Sequence, residues 1–230
     1  MKVTVVIPAY NEERYIEQTL KSLHCQSIRA EEIIVVDNNS TDRTAEIAQK
    51  NGARVIRELK KGSQHALHAG ISESKSDIIC CTDADTLAPV NWIETIVNGF
   101  QNEPHIHAIT GPCHYFEAPK FIEHGSKILS QLDRLGYKGE LIGANFAIKK
   151  DHYLQIGGVD KDLPAGWDIE LGQRIRKRGK LKYIRNLAVK TSGRRFHSKP
   201  IGVVLRYFLN YLGVSLKKKN LVVEMKDVRK

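Results

Sequence analysis

The sequence predicts an α/β fold in which a mostly parallel sheet is flanked by helices. Three observations predict it. Short apolar runs alternate with segments of helical period through residues 1–90. Each run ends in a polar, carboxylate-bearing loop. The chain has 230 residues, 41% of them hydrophobic, which is enough to bury one large core.

Residues 3–7, 33–36, 54–57 and 78–82 read as four strands, apolar on both faces as strands of a covered parallel sheet must be. Between the first two, Ile16, Leu20 and Leu23 recur at helical spacing. Ser40, Thr41 and Asp42 offer helix caps before a helix over 44–49, and a third helix is expected over 63–73. The strand ends hand over to Pro8-Ala9-Tyr10-Asn11-Glu12, Asp37-Asn38-Asn39-Ser40 and Asp83-Ala84-Asp85. Ligands of open α/β sheets bind beyond the carboxyl ends of the strands, so these loops should converge on one crevice.

Beyond residue 90 the pattern is mixed. A helix is expected over 92–100, a strand over 108–116, a helix within 122–135, a strand over 143–148, a helix over 168–178 and one or two strands over 181–191, forming a smaller mixed sheet. Residues 201–216 form a C-terminal apolar helix broken only by Arg206 and Asn210, and Lys217, Lys218 and Lys219 follow. That helix is shorter than the roughly 20 residues of a membrane span. It suits an interfacial helix with a basic flank on anionic headgroups, giving peripheral membrane contact through 201–219. It equally suits an ordinary packing or dimerisation helix, the latter giving a homodimer.

The 36 Lys and Arg against 26 Asp and Glu leave a net charge of +10, which favours anionic partners without choosing among them. Cys25, Cys80, Cys81 and Cys113 lack metal-ligand spacing and read as reduced thiols. The first residues lack the apolar core of about 7–15 residues of a secretion signal. A cytoplasmic location, at the inner face of a membrane, is expected.

Two carboxylates emerging together at Asp83 and Asp85 make a hard-oxygen site for Mg2+ or Mn2+, whose open positions a diphosphate can fill. Acidic loops after strands also arise from turn and capping chemistry alone. Asp37 can accept a hydrogen bond from a base or a ribose, or simply cap the following helix.

These features together resemble the family 2 glycosyltransferases with the GT-A fold, a Rossmann-like sheet. The resemblance rests on V-V-I-P-A-Y-N-E at 5–12, I-I-V-V-D-N-N-S-T-D at 33–42, D-A-D at 83–85, G-A-N-F-A-I at 143–148 and G-W-D-I-E-L-G-Q-R-I at 166–175. It implies a domain over 1–198, with a nucleotide-binding half at 1–90 and an acceptor half at 91–198, followed by a C-terminal helix and basic tail at 199–230.

It implies an inverting transfer from a nucleoside diphosphate sugar, a UDP sugar by default, to a glycan or lipid-linked acceptor hydroxyl. Pro8, Ala9, Tyr10, Glu12, Asp37, Lys61, Gly62, Asp83 and Ala84 would bind the nucleotide. Asp85 and Asp83, with His197, would hold the metal. Asn145, Trp167, Glu170, Arg194 and Arg195 would line the diphosphate and acceptor side, the two arginines by charge and fork geometry. Asp168 would be the general base. Two departures stand out: Trp167 replaces the family's usual Glu before the base, and His68 stands where Asn is common.

Rival readings are a sugar nucleotidyltransferase, whose Gly-rich N-terminal phosphate loop is missing, and a nucleotide-sugar binder without transfer. Nucleic acid is not expected as a partner, since no helix-turn-helix, zinc-finger or RNP-like signature is present.

Overall fold

The computed structural model describes residues 1–129, 140–216 and 222–224. Its first half follows the predicted alternation: β1 (Val3–Ala9), α1 (Ile16–His24), β2 (Glu32–Asp37), α2 (Thr44–Lys50), β3 (Arg54–Arg57), α3 (Ser63–Glu73) and β4 (Ile78–Cys81). The second half contains β5 (Thr86–Leu87), α4 (Trp92–Asn102), β6 (Ala108–Thr110), β7 (Cys113–Phe116), α5 (Lys120–Leu129), β8 (Phe146–Lys149) and α6 (Lys150–Gln155). It ends with α7 (Trp167–Arg178), β9 (Leu181–Tyr183), β10 (Val189–Ser192), a 3-10 turn at Arg194–Phe196, and α8 (Pro200–Ser215).

The main sheet runs β3-β2-β1-β4-β8-β6-β9, and β5-β10-β7 form a smaller one. β1 pairs in parallel with β2 and β4, whereas β8 is antiparallel to both β4 and β6. Chain direction therefore reverses beside β4. The order also changes side at β1, placing a crevice beyond the ends of β1 and β4.

Burial on both faces explains why these strands are apolar throughout. Val5, Ile7, Val35 and Cys80 face α1 and α4, which contribute Leu20, Leu23, Trp92, Ile96 and Phe100. Val6, Ile34, Val36 and Cys81 face α3 and α7, with Leu67, Ile71, Leu171 and Ile175. A Cβ at Gly70 would lie 2.4 Å from Val6 Cγ1, so only glycine lets α3 seat this close to β1.

Several expectations needed correction. The strand expected over 108–116 breaks at Gly111-Pro112: β6 joins the main sheet and β7 the smaller one. Proline cannot donate to a ladder, and a Cβ at Gly111 would lie 2.4 Å from the Leu187 carbonyl oxygen. The strand expected from 143 begins at Phe146, and the two-residue β5 and the six-residue α6 were not foreseen. Of the helix expected within 122–135, α5 covers Lys120–Leu129 and the remainder lies outside the described residues, as do Lys217, Lys218 and Lys219. All four cysteines are free, Cys80 and Cys81 being buried. Among the described residues no helix is long and apolar enough to cross a membrane.

Candidate active site

β1 and β2 end side by side, with Ala9 opposite Asp37. The Asn38 amide N–H donates to the Ala9 carbonyl at 2.8 Å, tying the two exit loops together. Asn11 takes a left-handed conformation (φ 51°), which asparagine tolerates, and its Oδ1 accepts from the Thr41 N–H at 2.8 Å. Asp37 is 3% exposed; its Oδ1 accepts from the Ser40 N–H at 3.2 Å, and Arg57 Nε stands 4.0 Å from its Oδ2. Asn38 spans to the third loop, donating to the Glu58 and Lys60 carbonyls and accepting from the Gly62 N–H. Gly62 has φ 132°, a region favouring glycine, and a Lys61 Nζ lies 5.2 Å from the centroid of the Tyr10 ring.

β4 delivers Asp83-Ala84-Asp85 at the neighbouring exit. The Ala84 carbonyl accepts from Thr19 Oγ1 at 2.8 Å, and Asp85 Oδ1 accepts from Thr191 Oγ1 at 3.1 Å. Asp83 is exposed to solvent on one side although protein is packed closely around it. That enclosure and the adjacent Asp85 charge raise its carboxyl above the usual range, while Arg195 pulls it back.

The 3-10 turn after β10 inserts Arg194 among these carboxylates. Its Nη2 lies 2.5 Å from Glu12 Oε1 and 3.0 Å from Asp85 Oδ2, and its guanidinium carbon sits 4.6 Å from the centroid of the Tyr15 ring. Burial disfavours the arginine's charge, yet the two carboxylates outweigh burial and hold it firmly protonated. Arg195 makes no ion pair among the described residues, and its charge reaches Asp83.

Asp168 opens α7 behind Gly166, which has φ 71°. Its Oδ2 accepts from the Gly143 N–H at 3.2 Å and its Oδ1 from the Ile169 N–H at 3.0 Å. Burial raises its carboxyl, opposed by those N–H groups. Trp167 packs against Gly143 and donates its indole N–H to Ser63 Oγ at 3.2 Å, joining α7 to α3.

Three expected site residues are placed differently. Asn145 is fully buried: its Oδ1 accepts from the Trp92 indole at 2.8 Å and its Nδ2 donates to the Pro112 and Leu187 carbonyls, so its amide is committed to the fold. Glu170 forms a two-pronged pair with Arg174 one turn along α7. A ring nitrogen of His197 lies 2.9 Å from the Glu117 carbonyl oxygen, and among the described residues no three His, Cys, Asp or Glu side chains group as metal ligands. Tyr15 and Thr191 were not among the expected site residues, and the fold brings them to Arg194 and Asp85.

A mostly parallel sheet with a reversed β8, a second small sheet, and carboxylates gathered at the ends of β1, β2 and β4 define an α/β transferase fold of the GT-A type. Residues 4–160 match the model of glycosyl transferase family 2, and the chain belongs to that family. It is 34% identical over 196 residues to a probable glycosyltransferase of Bacillus subtilis (strain 168), YdaM, covering 76% of this chain and 46% of that protein. It is 28% identical over 203 residues to the poly-beta-1,6-N-acetyl-D-glucosamine synthase of Staphylococcus aureus (strain COL), covering 79% of this chain and 47% of that one. The chain thus spans about half the length of the curated relatives it matches.

Among solved structures, a Pyrobaculum calidifontis mannosyltransferase in complex with GDP-Man and Mn2+ superposes with TM-score 0.74 at 19% identity, covering 94% of this chain and 64% of that one. Staphylococcus aureus TarS in complex with UDP-GlcNAc gives 0.68 at 17% identity, covering 84% and 58%. At these identities the likeness shows the fold.

Proposed function

We propose that this chain transfers a sugar from a nucleoside diphosphate sugar, a UDP sugar by default, to an acceptor hydroxyl with inversion. The observation that carries this is the gathering of Asp83, Asp85 and Asp168 within reach of one another's charge, with Arg194 3.0 Å from Asp85. Asp37 and the Tyr10 and Gly62 loops frame a nucleoside pocket. Arg194 and Arg195 offer fixed positive charge to a diphosphate.

Asp83 and Asp85 fit a divalent ion, Mn2+ or Mg2+: they are hard oxygen donors at one lip, and a cationic guanidinium already rests against Asp85. Such an ion would offset the charge that develops on the leaving diphosphate. Asp168 takes the proton of the attacking hydroxyl. Burial raises its carboxyl, which makes it a stronger base, and the Gly143 and Ile169 N–H groups fix its direction. Attack from the face opposite the diphosphate inverts the anomeric carbon.

A glycan or lipid-linked acceptor fits α8, whose Ile201, Leu205 and Phe208 are 79%, 54% and 55% exposed ahead of the lysine run, a face suited to peripheral contact with an anionic membrane. Titration calorimetry with UDP and Mn2+ tests the metal assignment: Asp85→Ala should abolish Mn2+-dependent binding, and unchanged binding would refute it.

A further inference from the structure

The inward stripe of α8 contains Val203, Tyr207, Asn210 and Val214, spaced i, i+4, i+7 and i+11. Asn210 and Val214 are 3% and 7% exposed and pack on Gly166, immediately before Trp167 and Asp168. Tyr207 lies on that same stripe yet is 43% exposed. Tyr207 is thus the solvent-open member of the stripe, next in line to the residues that seat on Gly166.

Its surroundings agree. The Tyr207 ring lies 6.3 Å from Phe196, which follows Arg195 and is itself edge-on to Tyr115 at 4.9 Å. The Tyr207 hydroxyl is close enough to Arg195, Asp168 and Asp83 for all three charges to act on it. These three belong to the diphosphate, base and donor corners of the site, so Tyr207 stands where a transferred sugar and its acceptor would meet. A half-open aromatic ring among charged groups is a surface for the C–H face of a pyranose, and its hydroxyl can bond a sugar hydroxyl.

We propose that Tyr207 is a sugar-contacting residue of the active crevice, and that α8 forms one wall of the site. This rests on the transferase reading above. It explains why the helix packs against the start of α7 and against the 3-10 turn.

The test compares Tyr207→Ala, Tyr207→Phe and Leu154→Ala with the wild type, all as the full chain. Leu154 is 52% exposed on α6, beyond the end of β8 that pairs with the start of β4, away from the crevice, and serves as the control. Calorimetry with UDP, UDP-glucose and UDP-N-acetylglucosamine in Mn2+, and the rate of donor hydrolysis, are measured for each. Tyr207→Ala is expected to bind UDP within twofold of wild type, to lose at least fivefold of whatever affinity the sugar adds, and to hydrolyse donor at least tenfold more slowly. Tyr207→Phe keeps the ring and should fall between them; Leu154→Ala should match wild type. A Tyr207→Ala protein with unchanged hydrolysis and unchanged sugar-dependent affinity overturns the assignment, as does an equal loss in Leu154→Ala. If the wild type bound none of the three nucleotides, the transferase reading itself would fall, a different result from either.

Discussion

Replacing Arg194 with alanine removes the one guanidinium that touches both Glu12 and Asp85. The three side chains retain 17%, 6% and 14% of their exposure, so the carboxylates left behind cannot simply rehydrate. Truncating one partner of a buried ion pair costs about 3–5 kcal/mol, and loss of the stack on Tyr15 adds roughly 0.5–2 kcal/mol. Asp85 borders an open crevice and can recover some water, which places the expected loss near the lower end, about 3 kcal/mol. For a chain of this size each kcal/mol moves Tm by about 2–4 °C, so melting in EDTA should fall by roughly 6–12 °C. Mn2+ should then raise the melting temperature of Arg194→Ala more than that of wild type, since no guanidinium competes for Asp85. Arg194→Lys should recover only part, because a single ammonium cannot serve two carboxylates in fixed fork geometry. A variant melting within about 2 °C of wild type, with the same Mn2+ increment, would refute the role given to this contact.

Asn145→Leu leaves the Trp92 indole N–H and two backbone carbonyls without their partner, so a loss of about 3 kcal/mol or more is expected in urea unfolding, with UDP affinity of the folded protein unchanged; weakened UDP binding without loss of stability would return Asn145 to the ligand. Asp168→Asn should bind UDP and Mn2+ normally while turnover drops about 10²–10⁴-fold, and near-normal turnover would remove it as the base. Burial lowers the pKa of His152 and of His107, whose rings stand 4.1 Å apart, below the ordinary 6.5. As pH falls through 6.5 the unfolded chain takes up protons before the folded one does, so stability is full above 6.5 and declines below it. His152→Leu should flatten that acid limb in urea midpoints measured across pH, and an unchanged limb would acquit the pair.

Much of the fold was legible because element type is a local property. Short continuous apolar runs placed β1 to β4, helical spacing placed α1 and capping residues α2, and the carboxylates at the strand exits followed from strand direction. The break at Gly111-Pro112 was not legible: the apolar run around it reads as one strand, and only the sheet pairing separates β6 from β7. β5 could not be read: two residues carry no period, and Thr86 is held through its hydroxyl by Thr191, 105 positions away.

The sequence by itself determined the α/β alternation, the three acidic exit loops and the family. Only the tertiary structure decided which side chains those loops share. It spent Asn145 and Glu170 on the fold, turned His197 toward the Glu117 carbonyl, carried Arg194 across 182 positions to Glu12, and left Tyr207 open above the crevice. Spacing along a chain encodes the face of a helix or strand. Pairing between charges distant in sequence is set by packing of the whole sheet and by the cost of burying a carboxylate without a partner.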